Sequence, residues 1–489
     1  MSKTPIRQFK KDTFIYGAGV AFSKGLGLIL LTIYTRFFTP VEYGIIEMLT
    51  ITYIFLSLLM NMGQDSAQSY YFFEQKTEGG KLKQAQLVTA ILQWRLFSGL
   101  TIILLATWLS PSLNIWLFKG KLDWTIFAAA FSGALFFQIT MQSAQVFQLL
   151  FRPWHFLGIT FFQSVFSATI AVSLIMWLDA GILGYFIGFS FGSLVAGTIG
   201  WWLARDYIDW SASNRKLWPR MLKFGLPLVP ANLAEYFMET SDRWFLGFYY
   251  GEISLGIYAV GLKFAMIISL VVEPFRKAWV PLAMKSLQEP ESQGLFSFMA
   301  RLYMGTGAAA IVVLTAFSPT LVNWVTVPDY YGAHSFMGLL AWKQLFYGFY
   351  VFSSLGIIKK EKTRLAALLT GITALLNILL QFILVPELAG MGAALAMLIT
   401  YFVWNVLLIS AGQKLWPVNY PWAILFGQVS LGLFSTGMIL IFHKIGAGAL
   451  EIFLFAILSS SILIGTAAPF HHFKNWFNFL HSEYKLWKN

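Results

Sequence analysis

Apolar runs of about twenty residues recur along the whole chain, separated by short stretches that hold its Lys, Arg, Gly and Pro residues. A helix rising about 1.5 Å per residue needs that length to cross a hydrocarbon layer of about 30 Å. Barrel strands would be about ten residues long and alternate in polarity, a pattern the chain lacks. The runs predict helices near 14–38, 43–66, 87–109, 124–151, 157–178 and 182–203, then near 222–246, 255–276, 298–318, 334–357, 365–385, 391–411, 421–442 and 449–468. The predicted fold class is therefore an all-α polytopic membrane protein of about fourteen transmembrane helices.

Charge placement gives these helices an orientation. The first run begins behind Lys3, Arg7, Lys10 and Lys11 with no small-residue cleavage site after it, and reads as a retained signal-anchor helix. With that end cytoplasmic, basic residues crowd the alternate connections: Lys76, Lys81 and Lys83; Arg152; Arg205, Arg215 and Arg220; Lys359, Lys360, Lys362 and Arg364. The opposite connections hold little beyond Lys119, Lys121 and Lys444. The net charge of +12 is thus spread over one membrane side and does not form a nucleic-acid patch. A hydrophobic share of 57% against 11% charged residues demands lipid as solvent, and the absence of cysteine excludes disulfides and thiolate chemistry.

Two copies of one plan are visible in the spacing. Gly17 and Gly225, Arg36 and Arg243, and Gly184 and Gly392 are separated by 208, 207 and 208 residues, and a Lys-Leu-Trp-Pro tetrapeptide follows both the sixth and the twelfth span, at Lys216 and Lys414. Six is even, so the copies are parallel repeats, an arrangement that places substrate between two lobes which rock to alternate access. The predicted organisation is an N-lobe over 1–203, a cytoplasmic linker over 204–221, a C-lobe over 222–411, an extra helix pair over 412–468 and an amphipathic cytoplasmic tail over 469–489. In that tail Phe473, Trp476, Phe477, Leu480, Tyr484 and Trp487 recur at helical spacing between basic residues, as in a segment lying in the headgroup layer.

The opening FIYGAGVAFSKGLGLILLTIYTRFFTPVEYG, the later FGLPLVPANLAEYFMETSDRWFLGFYYGEISLGIYAVGLKFA and the AGMGAALAMLITYFVWN stretch resemble the Wzx-type oligosaccharide flippases of the multidrug/oligosaccharidyl-lipid/polysaccharide (MOP) exporter superfamily. The resemblance extends over essentially the whole chain and implies a MATE-like fold of two six-helix lobes plus a C-terminal pair in a bacterial plasma membrane, both termini cytoplasmic. It further implies translocation of an undecaprenyl-diphosphate-linked oligosaccharide for O-antigen, capsule or exopolysaccharide synthesis, with membrane lipids and polysaccharide assembly proteins as partners.

A lipid-linked glycan carries an anionic diphosphate, so in-membrane cations become the candidate contacts. Lys24, Lys263, Lys343 and Arg95 lie within predicted spans, and the resemblance, which suggests a cationic cavity built in part by spans one and eight, puts Lys24 and Lys263 first. Arg276 and Arg301 read instead as residues that snorkel to the interface. Span seven holds Glu235, Glu239 and Asp242 on one helical face with Arg243 adjoining, and Asp65 ends span two. Crowded carboxylates permit proton or sodium coupling; the same residues also suit a salt-bridge cluster with Arg243 and Lys263 that closes an outer gate or fixes lobe packing. Pro227 and Pro230 predict a bend in that span.

No enzyme site, cofactor loop or metal-ligand spacing is legible, and the six His residues fall in connections or the tail. Two alternatives to the flippase stand beside it: a cation-coupled multidrug exporter using the acidic cluster, and a membrane scaffold of a glycan-assembly complex that transports nothing.

Overall fold

The computed structural model describes residues 25–74, 80–210, 217–287 and 293–467, so the predicted contact Lys24 and the amphipathic tail 469–489 lie outside the described residues. Every regular element among the described residues is helical. In chain order the helices are α1 Gly25–Phe37, α2 Pro40–Asn61, α3 Gln64–Glu74, α4 Gly80–Trp108, α5 Ser110–Phe118, α6 Trp124–Leu149, α7 Pro153–Leu178 and α8 Gly181–Leu203. They continue with α9 Leu217–Gly225, α10 Val229–Ala265, α11 Ser269–Ser286, α12 Gln293–Val325, α13 His334–Ser353, α14 Leu355–Lys359, α15 Thr363–Leu415, α16 Trp422–Ile445 and α17 Ala449–Ala467.

Two of these are hairpins in a single helical run. In α10 the backbone turns at Gly251, with φ 74°, and the Tyr258 hydroxyl reaches back to the Asp242 carboxylate at 2.8 Å. In α15 it turns at Ala389, with φ 50°, close after Pro386, and Asn377 donates to Thr400 across the bend at 2.9 Å. Each hairpin therefore supplies two of the predicted spans, and ten helical runs among the described residues are long and apolar enough to cross a membrane. The turns sit in the gaps 247–254 and 386–390 between predicted runs.

Local sequence explains the start and stop of α2, the helix that carries the buried acid Glu47. Thr39 caps it, accepting from the Glu42 amide while Glu42 accepts from the Thr39 amide at 2.9 Å, and Pro40 occupies the first turn, where its missing N–H costs nothing. At the other end Met62 and Gly63 take left-handed conformations, and α3 sets off in a new direction.

The described residues form two compact units that divide between Ala259 and Val260. In the first, α6 packs against α2, α4, α7 and α8, and a cluster including Phe72, Val88, Ile91 and Phe147 fills one end. In the second, α12 packs against α13, α16 and α17, and α13 against α15; the Trp342 indole donates to Thr436 at 3.0 Å. The first unit extends past the expected lobe boundary at 204–221 because the first arm of α10 packs on α2, through Tyr236 against Ile51 and Phe55, Arg243 against Glu47 and Gly247 against Met48. Large apolar side chains cover the lipid-facing surface, and the exposed tryptophans Trp108, Trp124, Trp177 and Trp324 sit at helix ends, the depth that an indole prefers at a membrane interface.

Candidate functional site

Two buried arginines organise the first unit. The first is Arg243 on α10. Its Nη1 donates to the Glu47 carboxylate of α2 at 2.7 Å, its Nη2 to the Glu239 main-chain oxygen at 2.6 Å, and its Nε to Asp242 at 3.4 Å. Tyr258 donates to the other Asp242 oxygen at 2.8 Å. A guanidinium removed from water needs this number of acceptors to offset its desolvation. The seam around it is tight at both ends. Near Pro40, a Cβ on Gly44 would overlap the Glu252 carbonyl, and one on Gly256 the Pro40 carbonyl; at the far end Gly63 and Gly225 meet backbone to backbone. Between them the Tyr236 hydroxyl donates to the Ile51 carbonyl at 2.9 Å.

The second is Arg95 on α4, whose residue is 1% exposed. It forms an ion pair with Asp65 and donates to the Gln138 main-chain and side-chain oxygens at 2.8 and 3.2 Å. Asn61 donates to the other Asp65 oxygen, and Gln145 donates to the Asp65 carbonyl at 2.9 Å and to Ser69 at 3.1 Å. The break at Met62–Gly63 aims the first turn of α3, with Asp65, at α4 and α6. Unlike the first cluster, this one opens: Asp65, Ser66, Ser69, Tyr70 and Gln145 line a recess of about 480 Å³.

In the second unit, Lys343 is buried in α13 with its ammonium 5.2 Å from the Tyr401 ring. Tyr401 lies 6.2 Å from Tyr347, and Arg276 sits 4.8 Å over Tyr347 while pairing with Glu273 at 2.9 Å. Two cations are thus linked through two tyrosine faces. Lys263 is half-buried in the second arm of α10.

The predicted residues are therefore distributed over several places. Arg95 and Asp65, chosen for different roles, form one pair; Asp242 and Arg243 form the core of the α2–α10 seam, where Glu239 contributes its main-chain oxygen and Glu235 is exposed. Lys263 and Lys343 belong to the second unit. Sequence reasoning missed Glu47, whose position inside a predicted apolar span was the available signal, and it treated Arg276 as a residue reaching for the interface, whereas the Tyr347 ring holds it. Exposed beyond these, Asp206 pairs with Lys81 at 3.0 Å, and that ammonium holds its carboxyl below the usual carboxylate range.

The comparisons agree with this architecture. The solved structure of the lipid II flippase MurJ in an inward closed conformation superposes with a TM-score of 0.72 at 16% identity, covering 92% of this chain and 98% of that one. An inward-facing multidrug resistance MATE family transporter of the MOP superfamily gives a TM-score of 0.61 at 16% identity, covering 82% and 94%. A Haemophilus influenzae protein of the Lsg locus is 23% identical over 305 residues, 59% of this chain and 71% of the relative. A family described as polysaccharide biosynthesis protein matches residues 9–287, more than half of the sequence. With an all-α membrane fold of the MOP type and that match, the chain belongs to the polysaccharide biosynthesis protein family.

Proposed function

We propose that this protein is a flippase that moves an undecaprenyl-diphosphate-linked oligosaccharide from the inner to the outer leaflet of a bacterial plasma membrane, by alternating access between two six-helix lobes. Membership of the polysaccharide biosynthesis family supports the class of cargo. The observation that carries the mechanism is the α2–α10 seam: Glu47 on span two and Arg243 on span seven fall in different sequence repeats, yet clasp each other at 2.7 Å. Lobes that rock apart on one side must part such a seam, and buried ion pairs with glycine contacts form a discrete lock that is either made or broken. Lys24, Lys263 and Lys343 are the proposed diphosphate contacts; the pyrophosphate needs fixed cations, while the polyprenyl tail stays in lipid.

The drug-exporter alternative asks span seven to offer a free anionic site to an organic cation. Arg243 already occupies Asp242 and Glu47, so a cationic cargo at either of those two acids would have to displace a guanidinium. The test is reconstitution in liposomes with a fluorescent undecaprenyl-diphosphate oligosaccharide, followed by protection of the label from an external quencher. The flippase reading expects movement that Lys24→Ala and Lys343→Ala each reduce at least about tenfold, the equivalent of 1.4 kcal/mol. Wild-type protein that moves no lipid-linked glycan, while saturably binding organic cations, would favour the exporter.

A further inference from the structure

The recess beside Asp65 has a chemistry distinct from that of an anion site. We propose that Asp65, Ser69, Tyr70 and Gln145, with Asp65 held from behind by Arg95 and, through it, Gln138, form a subsite for the hydroxyl groups of an uncharged sugar in the cargo; this rests on the flippase reading and adds a glycan contact to it.

Charge balance is the first reason. Arg95 is paired with Asp65, so the cluster holds no surplus positive charge for a diphosphate and no surplus negative charge for a cation. What it offers is a mixture of acceptors and donors, which suits a ligand whose every hydroxyl both donates and accepts. Unspent valence is the second. Gln145 uses its amide nitrogen on the Asp65 carbonyl and Ser69, but its buried Oε1 has no hydrogen-bond partner, and neither does the buried Arg95 Nε. A buried acceptor left without a donor is destabilising, a penalty that a donor arriving from a ligand or water removes. Gln64, adjacent to Asp65 and fully buried, likewise leaves both side-chain amide atoms unsatisfied.

Shape is the third. The recess is shallow and open, and one wall is the Tyr70 ring, 58% exposed and stacked on Phe224 at 5.1 Å. An aromatic face beside paired polar groups accommodates the C–H face and the hydroxyl edge of a pyranose together. A purely structural staple, by contrast, would require only the Arg95–Asp65 and Gln138 bonds, and no open Ser69 and Tyr70 mouth.

The test uses the full chain in nanodiscs and compares three lipids by equilibrium binding: bare undecaprenyl diphosphate, the same lipid bearing a neutral hexose disaccharide, and the same bearing an N-acetylhexosamine disaccharide. Wild type is expected to bind at least one glycosylated lipid about tenfold or more tighter than the bare one, a gap of 1.4 kcal/mol. Gln145→Leu and, as a milder variant, Ser69→Ala should shrink that ratio toward one while leaving the affinity for bare lipid unchanged. Equal wild-type binding of all three lipids, or variants that weaken bare and glycosylated lipid alike, would overturn the sugar subsite and leave the flippase reading standing. Wild type that binds none of them would overturn the flippase reading itself.

Discussion

Arg243 and Arg95 share a residue type, a burial and a carboxylate partner, yet one is sealed and the other opens on a recess. Arg243 has Glu47, Asp242 and a helix carbonyl around it, and its two acids are 4% and 0% exposed at the side chain. Arg95 has a single acid, Asp65, whose side chain is 50% exposed. The difference follows from the helices: α2 and the α10 hairpin approach through Gly44 and Gly256 and exclude everything else, whereas α2 breaks at Met62–Gly63 and turns α3 so that the Asp65 side chain is left half exposed. An ion pair sealed on all sides has only a structural or gating use; one that is half open can share its hydrogen bonds with a visitor.

Arg243→Met is the most damaging change, because it strands Glu47 and Asp242 in an apolar seam. We expect about 3–5 kcal/mol of lost stability in mixed-micelle unfolding, and a Glu47→Gln/Arg243→Met double variant less destabilised than the sum of its parts. Gly63→Ala ranks next at about 1–3 kcal/mol, since its φ of 75° disfavours a side chain and a Cβ there would press on the Gly225 carbonyl. Arg95→Met should cost only about 1–2 kcal/mol in the same assay, as Asp65 can rehydrate through the recess. The exposed Lys81–Asp206 pair sets the lower limit. Its carboxyl titrates below the usual range in the folded state, so its small contribution is present above the unfolded-state pKa and fades as the pH falls through the folded one. A Lys81→Met variant should therefore differ from wild type most at neutral pH and low salt, and converge with it in acid or in molar salt.

Most of the helical plan was legible in the sequence, since a run of twenty apolar residues has few alternatives in a membrane protein and the breaks at Gly251 and Ala389 fall between runs. The site was legible only in pieces. Asp65, Arg95, Asp242 and Arg243 stand out as costly charges in apolar surroundings, but which acid meets which base depends on helix pairing that no local pattern encodes. Glu47 contacts a residue 196 positions away, and its pairing follows from two glycine approaches that depend on the folded geometry. The spacing was a poor guide to environment as well: Arg36 and Arg243, paired in sequence by their 207-residue separation, are exposed and buried respectively.

The most direct measurement exploits the cysteine-free chain. With Met48→Cys and Gly247→Cys introduced as the only thiols, on facing sides of the α2–α10 seam, the protein is reconstituted with the fluorescent undecaprenyl-diphosphate oligosaccharide and bridged with a short, reducible cross-linker. Bridging is expected to stop lipid movement, and reduction to restore it. Movement at the uncross-linked rate through a fully bridged seam would contradict that expectation.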